Sequence, residues 1–289
     1  MNLNTDVIQK RPGLILPVFF LSLLPANCQQ ILPEEVASLA GGTFISNTSH
    51  ISAWGNQAGL ATADRHAILV RHCRPALQPD MGISTLGLRL PFRRNLSSND
   101  RQKGHRGGFG LSISGCGIPG YRFTSGWFSC GAELHPILAA GVGIHTWFGS
   151  VGQDFFHNPG IGCALGILVK ATPSLILAGH LYHPFQWQTD QPGIQKKPLR
   201  ITAGLSLRPF PESICHAEVK VDRDRGLQFT GGIEISPSEK IRLILAMESN
   251  PLNLAIGTEM ILTRWQIMTG FEYQPDRGPT PVIQLNHGW

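Results

Sequence analysis

The chain has 289 residues, 15% of them charged, with a formal net charge of +5. An ordinary soluble protein is about 25% charged, so this one is sparing of charge. Mean hydropathy is near zero, yet no run of about 18 or more uninterrupted apolar residues occurs, which excludes a helical membrane protein.

The first thirty residues read as an export signal. Lys10 and Arg11 form a basic start, and Leu14–Leu24 is an apolar run too short to span a bilayer. Ala26-Asn27-Cys28 then supplies small residues for cleavage near Cys28. Residues 1–28 are therefore expected to be a signal peptide. Pro17 and Pro25 argue against a buried helix there. A lipoprotein anchored through Cys28 is the alternative, although Asn27 is a poor neighbour for a lipidated cysteine. Cys73, Cys116, Cys130, Cys163 and Cys215 remain after cleavage and show no CxxC spacing. They are expected to be free thiols.

Residues 29–65 are expected to form an N-terminal hatch or plug segment, in which Pro33–Ala63 is rich in Gly, Ser and Asn and shows little alternation. The stretch Ala37–Ala61 is the natural candidate for a plug, with Asn47, Asn56 and Gln57 available to bond a surrounding wall. The alternative is a periplasmic tail without fixed structure.

Residues 66–289 read as a transmembrane barrel. Apolar and polar residues alternate in segments of about ten residues set off by turn residues, the pattern of barrel strands. Fourteen segments are expected: His66–Arg74, Gly82–Phe92, Gly107–Ile118, Gly126–Leu134, Leu138–Phe148, Gly162–Ala171, Leu175–Phe185, Leu199–Pro209, Ile214–Asp222, Leu227–Ser236, Ile241–Glu248, Asn253–Thr263, Trp265–Gln274 and Pro281–Trp289. In Leu199–Pro209 the residues Leu199, Ile201, Ala203, Leu205 and Leu207 share one face. The apolar faces are nearly free of charge. The opposite faces carry Arg71, Arg89, Glu133, Lys170, Arg200, Arg208, Glu218, Lys220, Glu234, Arg242, Glu248, Glu259 and Glu272. Both signs are present in comparable numbers, which suits charges that pair inside a small lumen. In hydrocarbon every backbone group must be bonded, so such a sheet closes on itself.

Connection lengths agree. If the first strand runs outward, the inner turns are His135-Pro136, Thr172-Pro173-Ser174, Phe210–Ser213, Pro237–Lys240 and the region of Arg264, all short. The long connections Gly149–Ile161 and Gln186–Pro198 fall on the outer side. Arg93–Arg106 breaks the rule as a basic inner connection of about fourteen residues. The chain closes on Trp289, on one face with Ile283, Leu285 and His287, an aromatic ending suited to barrel assembly.

The Gly41-Gly42 pair, the stretch Trp54-x-Asn56-Gln57-Ala58-Gly59-Leu60-Ala61 and the final hairpin Phe271–Pro275 to Pro281–Leu285 resemble the PorV/PorQ-like barrels of Bacteroidetes. Those barrels are related to the fourteen-stranded FadL-like fatty-acid transporters. The resemblance implies an all-β barrel with a lumenal hatch bearing Gly41, Gly42, Trp54, Asn56, Gln57, Ala58, Gly59 and Leu60. The family more often reads Asn-Pro-Ala-Gly-Leu, so Gln57 is a departure. Some relatives serve type IX secretion as accessory or scaffold barrels.

The expectation is thus a non-enzymatic barrel of a Gram-negative outer membrane. It would contact lipid and lipopolysaccharide, and secretion-system proteins if the resemblance extends to function. The alternative is passive transport of small hydrophobic molecules, with Phe44, Ile45, Ile51 and Trp54 as an apolar pocket beside the hatch. No catalytic group is expected, because Gly110-Leu111-Ser112-Ile113-Ser114 ends in serine where a nucleophile elbow needs glycine. No cofactor, metal or nucleic acid is expected either: the positive charge is scattered, and His66, His72 and Cys73 are spread along one strand.

Overall fold

The computed structural model describes residues 40, 44–46, 55–78, 80–94, 105–118, 121–151, 159–188, 197–223 and 226–289. The expected signal peptide, Gly41, Gly42, Asn47, Ile51, Trp54, the Arg101 and Lys103 of the basic connection, and the centres of the two long outer connections lie outside them.

Fourteen strands follow in chain order: β1 Ala67–Cys73, β2 Gly82–Arg94, β3 His105–Ile118, β4 Tyr121–His135, β5 Leu138–Val151, β6 Gly160–Thr172 and β7 Leu175–Gln188. Then come β8 Arg200–Phe210, β9 Ser213–Asp222, β10 Gly226–Ser238, β11 Ile241–Glu248, β12 Asn253–Ile261, β13 Trp265–Gln274 and β14 Gly278–Gly288. Each pairs antiparallel with its sequence neighbour, and β1 pairs with β14 from Ala67↔Gly288 to Cys73↔Val282, closing the barrel. Closure removes the two free edges that an open sheet would present.

Burial alternates along the strands, and the exposed positions are the greasy ones. Leu86, Ile113, Val142, Ile256 and Ile283 are each more than half exposed and all face outward. Aromatic side chains stand outward near both ends. Phe148, Phe185, Trp187 and Tyr273 are exposed at one end, and Trp265 and Trp289 at the end that holds both barrel termini. An apolar belt between aromatic girdles matches the hydrocarbon layer and its interfaces. Replacing Ile256, on the outer face of β12, by Arg should therefore cost about 2–4 kcal/mol in lipid. Ser112→Ala, on the inner face, should stay within about 0.5 kcal/mol. Urea unfolding of the barrel refolded in lipid vesicles reads both.

The basic connection is shorter than the sequence implies. β2 and β3 continue pairing to Arg94↔His105, which takes Arg93, Arg94 and Arg106 into strands and leaves only residues 95–104 between them. Backbone pairing in a closing sheet extends strands past the point where side-chain alternation fades.

Candidate functional site

The barrel interior holds three arrangements: a docked N-terminal segment, a charged wall and an aromatic cluster beside a break in strand pairing.

Residues 57–62 form a 3-10 helix, Gln57–Thr62, packed on the inner faces of β3–β6. Asn56 caps it: its Oδ1 accepts from Ala58 N at 3.1 Å, and its Nδ2 donates to Ile45 O at 3.0 Å and Ile167 O at 3.1 Å. One amide thus fixes the helix start, ties it to the preceding segment and joins both to β6. Asn56, Gln57, Ala58 and Leu60 are fully buried, as is Gly59. The wall admits them through missing side chains. A Cβ on Gly141 would lie 2.3 Å from the carbonyl carbon of Gln57, and one on Gly166 would lie 2.0 Å from Asn56 Oδ1. Gln57, the departure from the family pattern, has a partner: its Oε1 lies 3.1 Å from His180 Nε2 on β7. Proline there could not make that bond.

The second arrangement lines β8–β12. Arg200 bonds Asp222 at 3.1 Å, Lys220 bonds Glu248, and Arg242 bonds Glu259 at 3.0 Å and approaches Glu234 at 3.7 Å. Glu218 accepts from the Ile45 backbone N–H, and Glu272 accepts from Ala40 N at 2.9 Å and Asn253 Nδ2 at 3.1 Å. The carboxylates therefore hold the N-terminal segment as well as their cations. Arg71 and Arg89 are also buried on the inner face. Glu133 is half-buried, and Lys170 and Arg208 are exposed, all three near the turns at the barrel's terminal end. The structure thus brings Arg200, Glu218, Lys220, Glu234, Arg242, Glu248 and Glu259 onto one wall, sets Glu272 beside them on β13, and places the other five apart.

The facing wall, β2–β7, is of a different kind. Thr85, Ser112, Ser114, Ser125 and Ser129 are buried there, with Thr85 and Ser114 hydroxyls 2.8 Å apart. Among them Trp127 stacks on His145 at 4.3 Å, and His145 stacks on His183 at 5.3 Å with Nδ1 and Nε2 3.1 Å apart. Lys197 lies over the Trp147 ring at 4.4 Å and the Phe123 ring at 5.1 Å, cation–π distances. His183 occupies a position whose parity points outward. Its φ of 53° turns it inward.

That turn belongs to a bulge. β6 pairs with β7 at Gly162↔Gln186 and next at Ala164↔Tyr182, so three residues of β7 oppose one of β6. β7 pairs with β8 only from Leu175↔Leu207 to Tyr182↔Arg200. Beyond Tyr182 the two strands part. A cavity of about 880 Å³ lies at the parting. Its lining mixes inner-face residues, His183 and Gln186, with outer-face ones, Phe185, Ile201 and Val221, and adds the cations Lys197 and Arg223. It therefore sits across the thickness of the wall.

Among the described residues no group of three His, Cys, Asp or Glu side chains is placed to hold a metal ion. None of the five described cysteines is in a disulfide; Cys73 is buried and the others are half-buried.

No family model matches the chain, and no curated protein matches it. Solved structures do. The toluene transporter TbuX of Ralstonia pickettii is 12% identical, with 91% of this chain and 99% of that one covered and a TM-score of 0.62. The CymD monoaromatic hydrocarbon channel is 11% identical over 88% of this chain and 97% of that one, with a TM-score of 0.60. A Pseudomonas aeruginosa FadL homologue is 11% identical over 88% and 96%, with a TM-score of 0.51. At these identities the likeness is one of fold: this chain is built as a closed fourteen-stranded barrel of the kind found in FadL-like outer-membrane proteins.

Proposed function

We propose that the protein is an outer-membrane channel for small apolar molecules, which cross between lumen and lipid through the side of the wall where β7 and β8 part. The carrying observation is the cavity of about 880 Å³ that joins inner-face and outer-face residues at that parting. An apolar solute gains nothing from a charged axial path. A sideways opening lined by Phe185, Ile201 and Val221 delivers it to hydrocarbon without crossing the charged wall. The apolar belt and aromatic girdles support a bilayer setting, in contact with lipid and lipopolysaccharide. Ala40, Phe44, Ile45, Ser46 and residues 55–63 act as the hatch, narrowing the axial path. The printed descriptions of TbuX and CymD, a toluene transporter and a monoaromatic hydrocarbon channel, favour this alternative over a secretion scaffold, which draws on the PorV/PorQ resemblance alone.

The test is uptake of a labelled monoaromatic by whole Gram-negative cells that lack their own apolar-solute channel. Cells making this barrel should accumulate it about tenfold faster than cells with empty vector, the difference expected when a pore replaces slow crossing of the lipopolysaccharide leaflet. Equal rates would exclude the channel reading.

A further inference from the structure

The charged wall contains a group that the channel reading does not use. Ser206 on β8, His216 on β9 and Glu234 on β10 all face inward and are 6%, 5% and 3% exposed. The register places Ser206 and Gly232 on either side of His216, and Glu234 follows Gly232 by two residues on the same face. Ser206 Oγ lies 2.7 Å from His216 Nδ1, and His216 Nε2 lies 3.2 Å from Glu234 Oε1. The second approach is off the straight hydrogen-bond line, a looseness common before substrate binds. A carboxylate on the Nε2 side draws the ring proton there and leaves the Nδ1 lone pair for the serine hydroxyl. Arg242, bonded to Glu259, lies 3.7 Å from the other oxygen of Glu234 and attracts that carboxylate.

The space in front of the histidine is filled by the chain itself. The Phe44 ring is 3% exposed and stacks on the His216 ring at 4.2 Å with 3° between planes. A Cβ on Gly232 would lie 2.3 Å from Phe44 Cζ, so this glycine keeps room for the ring. Cys73, Met268 and Val282 belong to the same apolar cluster. Ser206 Oγ also donates to Ser46 Oγ at 2.6 Å, so its hydroxyl turns from Ser46 to His216 Nδ1 before the serine attacks.

We propose that Ser206, His216 and Glu234 form a nucleophilic serine site that takes small aryl esters, with Phe44 standing in for the substrate's ring. Ser206 Oγ bonds to the ester carbonyl carbon and its proton passes to His216 Nδ1. The carbon–oxygen bond to the phenol then breaks, and the departing oxygen takes that proton. Water attacks the acyl-Ser206 carbon, gives a proton to His216 and releases the acid as Ser206 Oγ is reprotonated. The serine sits mid-strand in Gly204-Leu205-Ser206-Leu207-Arg208, not on a nucleophile elbow, which is why motif reading passes over it. The site stands whether or not the barrel transports apolar solutes.

The experiment uses the full chain in detergent with phenylmethanesulfonyl fluoride, followed by peptide mapping. A single adduct on Ser206 is expected. Phe44→Ala, or the milder Phe44→Val, should speed its formation about tenfold by vacating the ring site, and His216→Gln and Glu234→Gln should each slow it about tenfold or more. Retained heat-modifiable mobility on a gel certifies that each variant is folded. Failure of folded wild type and folded Phe44→Val alike to acquire the adduct would overturn the proposal. So would a labelling rate indifferent to His216→Gln, which marks an ordinary serine.

Discussion

A barrel lacking Pro184 and Phe185 should take up a labelled monoaromatic no faster than cells with no barrel at all. Three residues of β7 oppose one residue of β6 at this point, so removing two restores a one-to-one ladder. The shortened β7 then keeps its parity, and the residues beyond Tyr182 are free to continue along β8 in the register set by Leu175↔Leu207 to Tyr182↔Arg200. His183 would leave its left-handed φ of 53° and return to the outer face, and the aromatic cluster would lose the ring stacked on His145. Relief of a left-handed conformation in a non-glycine residue favours the regular strand by about 1 kcal/mol or more. The deletion is therefore expected to keep the barrel folded while sealing its side. Undiminished uptake by a folded deletion variant would place the route elsewhere.

Leucine in place of Gly141 should release the inner 3-10 helix without opening the barrel. The new Cβ would meet the Gln57 carbonyl carbon at 2.3 Å, Ala58 N at 2.5 Å and Gln57 O at 2.6 Å. All three are backbone atoms with no side-chain freedom to yield. Overpacking of this kind costs about 1–3 kcal/mol, enough to raise the undocked fraction by about tenfold to a hundredfold. Amide exchange reads it directly. Gly59 N and Ala63 N are bonded to Asn56 O at 2.9 Å and Leu60 O at 3.1 Å, and their exchange should accelerate by that factor while the β4 and β5 amides keep their protection. Unchanged protection over 57–63 would show that the segment does not rely on the glycine-lined wall.

The sequence carries the strand order well because lipid imposes a simple rule. Each outward position must be apolar, so Leu199 to Leu207 and Leu252 to Met260 announce their faces residue by residue, and all fourteen segments have a strand at their place. Their ends are less legible. Tyr121–Ser125 and Gly278–Thr280 join β4 and β14 because neighbouring strands offer backbone partners, a long-range cause that local alternation does not contain. The interior is only half legible. Charge marks the wall on β8–β12, but Trp127 and Trp147 are apolar by composition and buried inside at 1% and 2% exposure, where hydrophobicity alone would send them to the lipid. The bulge is harder still. His183-Pro184-Phe185 reads as the end of a strand, since proline removes a ladder donor, whereas β7 continues to Gln188 on its far side. Likewise Ser206, His216 and Glu234 lie on three strands, and only the register brings them together.

An apolar outer face in hydrocarbon around a closed polar interior is tested most directly by gel mobility after membrane fractionation. The protein should be recovered from the outer-membrane fraction, should need detergent for extraction and should migrate differently before and after boiling. A detergent-free, water-soluble monomer with the same mobility boiled or unboiled would contradict it.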